Sequence, residues 1–351
     1  MYPAYKKNIL VASIGLFFFH GCETVPIQPD RIDPRGYRWS VKEISYPGAS
    51  VSAEDIWGSS PQDVYVVFSN SLNRIYKLFH FNGTVWTDVN VGQFGSSQVN
   101  FDLYSIWGFA PDNVWAAGAR QYYKPDSLRT FQDSTLIIHF DGITWSEVPC
   151  PRRRTVLSIG ANSPTSIWFG GVEATLLYFN GSTVEEDNSE SVVADKEGHN
   201  LIFNAVAGHS SGVSLAALND FSTGYFHFLQ RSGNSWTDLD HRFAAQTSIW
   251  ISPSGKILST FYSYGLYTWN GQDPWSLVRS VPFDEVFGSS DDNIFLVGAD
   301  ARISHFNGID WHDYKDLEKP GIFLKSIWTD GREVFIIGTD FLTKSYIYHG
   351  K

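Results

Sequence analysis

Several stretches that read as loops place aromatic rings close to guanidinium groups. The candidate ligand-binding residues in these stretches are Arg120, Tyr122, Tyr123, Arg129, Arg153, Phe221, Tyr225, Tyr262 and Tyr264. Aromatic rings offer flat apolar faces, and an arginine offers two parallel donors to acceptor oxygens. Such a mixture suits a sugar, a peptide segment or an acidic group. The alternative is that each of these side chains is solvated or packs between structural elements.

Carboxylates that could catalyse acid–base chemistry are harder to assign. Hydrolysis of a polysaccharide needs two carboxylates that face each other. Asp220, Asp300 and Asp340 lie in loops, but aspartate is equally common there as a turn former. The chain also has no glycine-rich phosphate loop and no Gly-x-Ser-x-Gly turn. The sequence therefore favours a protein without catalytic residues, and an enzyme that acts on polysaccharide remains an alternative.

Metal and thiol chemistry have little support. His80, His139 and His305 each stand before a Phe-Asn-Gly or Phe-Asp-Gly triplet, so they occupy one position of a repeat and should be spread around the molecule. Zinc-type spacing of histidine and cysteine is absent. Cys150 has no base nearby in sequence and should be an inert thiol. We expect neither a metal nor a cofactor.

The elements that position these residues come from a repeated unit. In 101–148 the unit reads as four short apolar runs separated by Gly, Pro, Asn or Asp, which is typical of an antiparallel meander. Its Asp-Gly or Asn-Gly hairpin is a strong turn signal because both residues tolerate positive φ. About seven copies at 40–50 residues each predict an all-β, seven-bladed β-propeller with four-stranded antiparallel blades. Blade three departs from the pattern, with Gly160 and Val184 in positions that hold tryptophan in other blades.

The last blade lacks a fourth strand at the end of the chain. The missing strand matches 38–44, so we expect the N-terminal strand to complete the blade and close the ring. The tryptophans at recurring positions are expected to pack blade against blade. The predicted blades span 51–91, 101–149, 154–187, 200–241, 245–280, 282–315, and 320–351 together with 37–46.

Loop lengths distinguish the two faces of the predicted ring. Turns between the first and second strands, such as 109–113, are short and nearly constant, as are the Asn-Gly hairpins. Turns between the second and third strands, and the connections to the next blade, vary in length, for example 120–134 and 185–200. Variable loops on a constant scaffold commonly carry function. We therefore expect the working face on the side of the variable loops.

The N-terminus predicts export. Lys6 and Lys7 precede an apolar run at 9–19, which suits a signal peptide covering 1–21. The Gly21-Cys22 pair resembles a bacterial lipobox, so Cys22 is the expected lipid-attachment residue, followed by a tether over 22–36. An ordinary cleaved signal or an uncleaved anchor is the alternative. Each version places the propeller outside the cytoplasm, and the lipidated form places it in the bacterial cell envelope, at the outer membrane or the cell surface.

Charge limits the class of partner. The formal net charge is -11, which excludes nucleic acid as the main ligand because phosphate binding needs a basic surface. With Cys22 acylated, Cys150 would have no disulfide partner, so the ring must be stable by packing alone. We expect a monomer.

The repeated phrase Ile106-Trp107-Gly108, the turn Pro111-Asp112-Asn113 and the hairpin Phe140-Asp141-Gly142 followed by Trp145 resemble secreted bacterial propellers described as galactose-oxidase-like or kelch-like. This resemblance implies the fold over 37–351, and it implies no particular activity. The Gly-Gly pair of kelch repeats has a counterpart only at Gly170-Gly171, and copper ligands cannot be placed. The hairpin at 140–145 also looks like a sialidase Asp-box, but its Asp and Gly are adjacent, which speaks against a sialidase.

Three functional classes follow. The leading hypothesis is a membrane-anchored binding module without enzymatic activity, which recognises glycan or protein through the variable-loop face. The second is a scaffold subunit of an envelope assembly complex, similar in concept to the propeller lipoprotein of the outer-membrane assembly machinery. The third is an enzyme acting on polysaccharide with its site on the propeller axis.

Overall fold

The structure of this protein is a computed structural model. It describes residues 34–45, 51–69, 78–89, 91, 100–123, 131–151, 153–187, 198–242, 246–271, 275–340 and 342–351. The predicted signal peptide, Cys22 and almost all of the predicted tether lie outside the described residues, as does Arg129. The description below concerns the compact unit of residues 32–351.

Seven four-stranded antiparallel sheets confirm the predicted propeller. Blade one contains β2 to β5, at Ser52–Ser60, Asp63–Ser69, Leu78–Phe81 and Trp86–Asp88. Blade two contains β6 to β9, at Asn100–Ala110, Asn113–Tyr123, Phe131–Phe140 and Trp145–Glu147. Blade three contains β10 to β13, at Val156–Ser163, Ser166–Gly171, Leu176–Phe179 and Val184–Glu186. Blade four contains β14 to β17, at Leu201–Gly208, Ser214–Asp220, Tyr225–Ser232 and Ser235–Arg242.

The remaining blades follow the same order, and the last one takes a strand from the other end of the chain. Blade five contains β18 to β21, at Gln246–Ile251, Ile257–Phe261, Gly265–Trp269 and Ser276–Arg279. Blade six contains β22 to β25, at Glu285–Ser290, Asn293–Val297, Ile303–Phe306 and Trp311–Asp313. Blade seven contains β26 to β28, at Phe323–Thr329, Val334–Thr339 and Lys344–Gly350, with β1, Trp39–Ser45, as its outer strand.

The pairing of β1 with β28 closes the ring, as the sequence predicts. Trp39 lies opposite Gly350, and the antiparallel register continues to the pair of Ser45 and Lys344. The Arg38 amide donates to the carbonyl of the last residue, Lys351, at 2.8 Å. Hydrogen bonds between β1 and β28 thereby close the ring, and β1 covers the edge of β28 that would otherwise be exposed.

The Ile-Trp-Gly motif has a steric explanation. The tryptophan in the first strand of one blade lies against the glycine in the first strand of the next. A Cβ atom added to Gly108 would lie 2.6 Å from the indole of Trp57, and one added to Gly58 would lie 3.0 Å from that of Trp328. The two positions are therefore coupled between blades, because any larger residue in the glycine position would displace the ring.

The tryptophan of the fourth strand also contacts the preceding blade. The ring of Trp145 meets Tyr65 of blade one edge-on at 6.1 Å, and that of Trp236 meets Trp168 of blade three at 5.2 Å. Aromatic pairs prefer such edge-to-face geometry and contribute about 0.5–1.5 kcal/mol beyond the area that they bury. The packing role predicted for these tryptophans is therefore visible in their contacts.

Helical structure is restricted to two single 3-10 turns, Pro34–Gly36 and Lys315–Leu317, in the described part of the chain. Within those same residues, no helix has the length and apolar character needed to cross a bilayer.

Candidate functional site

The antiparallel order of each blade fixes which turns share a face of the ring. Turns between the second and third strands emerge together with the connections from a fourth strand to the next blade, and we call this side the loop face. Turns between the first and second strands emerge with the Asn-Gly and Asp-Gly hairpins on the other side, which we call the hairpin face. The predicted working face is the loop face.

Four candidate residues lie on the loop face in neighbouring blades, and we call them the aromatic patch: Phe221, Tyr225, Tyr262 and Tyr264. Phe221 is 52% exposed, Tyr262 62% and Tyr264 54%, while Tyr225 is half-buried at the start of β16. The rings of Phe221, Tyr262 and Tyr264 are therefore accessible to a partner on this face.

Short hydrogen-bonded turns hold the aromatic patch in place. The Asp220 carboxylate accepts from the Ser222 amide at 3.0 Å, and the Gly224 amide donates to the Asp220 carbonyl at 2.9 Å. In blade five the Tyr264 amide donates to the Phe261 carbonyl at 3.0 Å. Rigid turns lower the conformational entropy that these rings would lose on binding a partner.

Unlike the exposed aromatic residues, the candidate arginines Arg120 and Arg153 lie close to acidic side chains. The Arg120 guanidinium forms an ion pair with Glu147 on the outer strand of its own blade, and Arg153 lies 3.6 Å from Glu186 of blade three. Tyr122 and Tyr123 belong to β7, where their backbones pair with Gln132 and Phe131, and their side chains lie outside the described part of the chain.

The three loop aspartates form turns, which is the alternative that the sequence left open. Asp340 accepts from three successive backbone amides, those of residues 342–344, at 2.8–2.9 Å. Asp300 adopts a φ of 59° and accepts from the Gly321 amide at 3.0 Å. Burial tends to raise the pKa of Asp220, but hydrogen bonds from His199 and Thr223 bring it below its ordinary value.

The repeated histidines each belong to a separate blade. His80 bonds Asp63 at 2.6 Å, His139 bonds Asn113 at 2.9 Å, and His305 bonds Asn293 at 2.8 Å. No group of three histidine, cysteine or acidic side chains converges as a metal site among the residues that the structure describes. Burial raises the pKa of the Cys150 thiol to about 11, so the thiol is protonated at neutral pH.

A channel runs along the ring axis, where the sequence places the site of the alternative enzyme without identifying the residues that line it. Its cavity measures about 220 Å³ and is lined by the first strands of the blades. Six of these strands carry a β-bulge near the loop face, and a bulge turns the extra side chain away from the ladder. The bulged residues that line the channel are Glu54, Tyr104, Leu157, Asn204, Thr247 and Lys325. Lys325 and Glu54 form an ion pair across the junction of blades seven and one.

The next residue along each first strand forms an inner girdle around the axis. This girdle consists of Asp55, Ser105, Ser158, Ala205, Ser248, Glu285 and Ser326. The Asp55 carboxylate accepts from Ser326 at 2.7 Å, from Ser105 at 2.8 Å and from the Ile106 amide at 2.9 Å, so it links blades seven, one and two. Glu285 accepts from Ser248 of blade five at 2.7 Å.

Burial within the ring shifts the pKa values of the two girdle carboxyl groups, Asp55 and Glu285. Burial raises the pKa of Asp55, although its hydrogen-bond donors oppose the effect. Burial raises the pKa of Glu285 well above its ordinary value, and the nearby charge of Asp55 adds to the effect. The signal for the girdle was present in the sequence, since Asp55 and Glu285 stand before Ile-Trp-Gly and Val-Phe-Gly, where other blades have serine or alanine.

Comparison with known proteins supports the fold. No family model matches the chain, and no curated protein matches it. The solved structure of YCF48 bound to D1 peptide is 13% identical, with a TM-score of 0.62 over 88% of this chain and 96% of that one. YCF48 from Cyanidioschyzon merolae is 14% identical, with a TM-score of 0.60 over 88% of this chain and 98% of that one.

A third similar structure is the extracellular domain of the putative hybrid two-component system BT3049 from B. thetaiotaomicron. It is 12% identical, with a TM-score of 0.60, and the match covers 88% of this chain and 42% of that one. At these identities the three likenesses establish a shared propeller fold.

Proposed function

We propose that this protein is a lipid-anchored binding module of the bacterial cell envelope, which recognises a protein segment through the aromatic patch on its loop face. The observation that carries the proposal is the exposure of Phe221, Tyr262 and Tyr264 on short, hydrogen-bonded turns of adjacent blades. Rigid exposed aromatic side chains supply apolar contact area at low entropic cost.

Two comparisons support this reading. One similar structure is described as bound to a peptide, and another is described as an extracellular domain. A propeller presents loops from several blades on one face, so a segment of a partner can contact two blades at once. Lipid attachment at Cys22 would keep the protein at the membrane surface.

The channel does not favour catalysis. Three carboxylates lie on its wall. Glu54 forms an ion pair with Lys325, and Asp55 accepts hydrogen bonds from donors of three blades, including Ser105 and Ser326. A carboxylate engaged in this way has no free lone pair directed at a substrate. The other two carboxylates of the wall are thus engaged by protein groups and are not available to share acid–base catalysis with Glu285.

The test of the binding site uses protein that lacks residues 1–22, coupled to beads, and an extract of envelope proteins. The triple variant Phe221→Ser, Tyr262→Ser, Tyr264→Ser should lose at least about tenfold of the captured partner, because it removes three aromatic anchors. The matched control is Val85→Ser, Ile143→Ser, Ile309→Ser, three exposed apolar residues at hairpin tips on the hairpin face.

Equal capture by both triple variants would contradict a role for the aromatic patch. Binding to a glycan array that depends on the same three aromatic residues would replace the protein ligand with a glycan. Anchoring is measured separately: Cys22→Ala should move the full chain from the membrane fraction to the soluble fraction and abolish labelling by an alkynyl fatty acid.

A further inference from the structure

A second cavity lies between blades three and four and opens on the hairpin face, opposite the aromatic patch. It measures about 370 Å³, which is large enough for a small ligand. Its wall is mostly hydroxyl groups and one guanidinium. Six of its lining residues are Ser163, Ser166, Tyr178, Ser210, Ser214 and Arg231.

The two blades depart from the repeat at the residues that line this cavity. Tyr178 occupies the position that holds histidine in blades one, two and six. Its hydroxyl donates to Ser166 at 3.1 Å, where those blades have an aspartate or asparagine. Arg231 stands before Ser232-Gly233, where blades one, two, three and six have phenylalanine before Asn-Gly or Asp-Gly. Blades one, two and six therefore show what these two positions contain away from this cavity.

The guanidinium of Arg231 is held in a fixed position. It lies 4.5 Å above the ring of Trp168, its Nε donates to the Gly233 carbonyl at 3.1 Å, and its Nη1 forms an ion pair with Asp187. The other oxygen of Asp187 accepts from the indole of Trp236 at 2.7 Å. The two N–H groups on Nη2 have no acceptor among the described residues. The Nη2 N–H groups of Arg231 are therefore available to a ligand without a change in the conformation of the side chain.

Electrostatics and hydroxyl chemistry identify the class of ligand. The positive charge of Arg231 is offset by Asp187, so an anion would gain little from it. Tyr178 donates to Ser166, and Ser166 and Ser214 donate to Asn162, so these hydroxyls offer acceptor lone pairs to the hydroxyls of a sugar, while Arg231 offers donors. The half-buried ring of Tyr178 adds an apolar surface for the C–H groups of such a ligand. We propose that the cavity between blades three and four is a binding site for a neutral carbohydrate residue.

The site is independent of the aromatic patch, so the two proposals can fail separately. The test titrates the protein lacking residues 1–22 with glucose, galactose, mannose and N-acetylglucosamine, followed by saturation-transfer NMR, and screens a glycan array. Ser210→Trp places an indole in the cavity from an exposed turn residue, and Ser182→Trp makes the same change at an exposed hairpin tip of blade three that does not line it.

We expect saturable binding of at least one sugar, which Ser210→Trp abolishes and Ser182→Trp preserves. Arg231→Lys keeps a positive charge beside Asp187 but loses the Nη2 donors, so affinity should fall about tenfold. The thermal midpoint of each variant shows whether it is folded. No saturable sugar in the panel or on the array, binding unchanged by Ser210→Trp, or displacement of the sugar by sulfate would each overturn the proposal.

Discussion

At the scale of single residues, the girdle of the channel is where this sequence departs most from an apolar core. Five of its seven positions are serine or alanine, and two are carboxylic acids, Asp55 and Glu285. Burial raises the pKa of both, but Asp55 accepts from donors of three blades, whereas the pKa of Glu285 lies well above its ordinary value and the charge of Asp55 adds to the effect. Glu285 is therefore the girdle carboxylate whose charge is the less favourable.

Glu285 gives a prediction about pH. A carboxyl whose pKa is higher in the folded than in the unfolded protein favours folding below the ordinary value of 4.5, and this contribution is lost as the pH rises through the folded pKa. Glu285→Gln removes the titration and keeps an acceptor for Ser248. We expect the variant to be more stable at pH 7.5 by roughly 1–3 kcal/mol, the range that relief of a buried charge commonly yields.

The measurement is chemical unfolding of both proteins between pH 4 and pH 8. The stability difference should disappear as the pH approaches 4, where Glu285 is protonated in both states. Asp112→Asn is the control, because it makes the same change of net charge at an exposed turn residue. A stability gain that is independent of pH, or equal in the control, would rule out the charge of Glu285 as the cause.

At the scale of elements, the contact between a tryptophan and the glycine of the next blade explains why the first strands repeat so strictly. Blades three and four lack the tryptophan, and there the backbones approach directly. A Cβ atom added to Gly160 would lie 2.4 Å from the Val206 carbonyl oxygen. The seam between these blades thus lacks the contact of tryptophan with glycine, and it is the seam that contains the proposed sugar site.

The glycine position gives a prediction about stability. Gly108→Ala places a methyl group 2.6 Å from the Trp57 indole, so the ring must shift, and we expect a loss of about 1–3 kcal/mol as for other overpacked cores. Gly36→Ala is the matched control, since nothing lies within 4 Å of its added Cβ. Urea unfolding measures both, and equal midpoints for the two variants would show that the tryptophan is not constrained by this contact.

At the scale of the whole molecule, one strand closes the ring. The seven residue pairs between β1 and β28 are supported by aromatic contacts, since Trp39 meets Tyr314 edge-on at 5.0 Å. Tyr37 and Ile44 are buried beside them. Removal of this strand exposes the edge of β28, and an exposed edge strand is a template for association.

Truncation tests ring closure. A chain that starts at residue 34 should fold as the longer one does, whereas a chain that starts at residue 46 should lose at least about 3 kcal/mol, because it loses a strand ladder and its buried aromatic side chains. Thermal unfolding and light scattering provide the measurements. A shorter chain that remains monomeric with an unchanged midpoint would show that closure by β1 adds nothing to stability.

The fold was predictable to the level of blade number and strand order because its determinants are local and occur seven times. The Asp141-Gly142 hairpin and the Ile106-Trp107-Gly108 strand each fix their own conformation within a few residues. The site was less predictable. Phe221 and Tyr262 have the exposure and the face that were expected, but Arg120 and Arg153 are engaged by acidic partners that lie 27 and 33 residues away in sequence.

The sequence by itself determined the seven sheets, the strand that joins the chain ends and the face that carries variable loops, because periodic turns and apolar runs act through neighbouring residues. Only the tertiary structure decided which polar side chains meet. The girdle of Asp55 and Glu285 and the cavity beside Arg231 arise between blades. There the curvature of the ring brings together residues such as Ser248 and Glu285, 37 positions apart, and Asp55 and Ser326, 271 positions apart. The sequence marks Asp55 and Glu285 as departures from the repeat, but which side chains they meet depends on how the sheets pack.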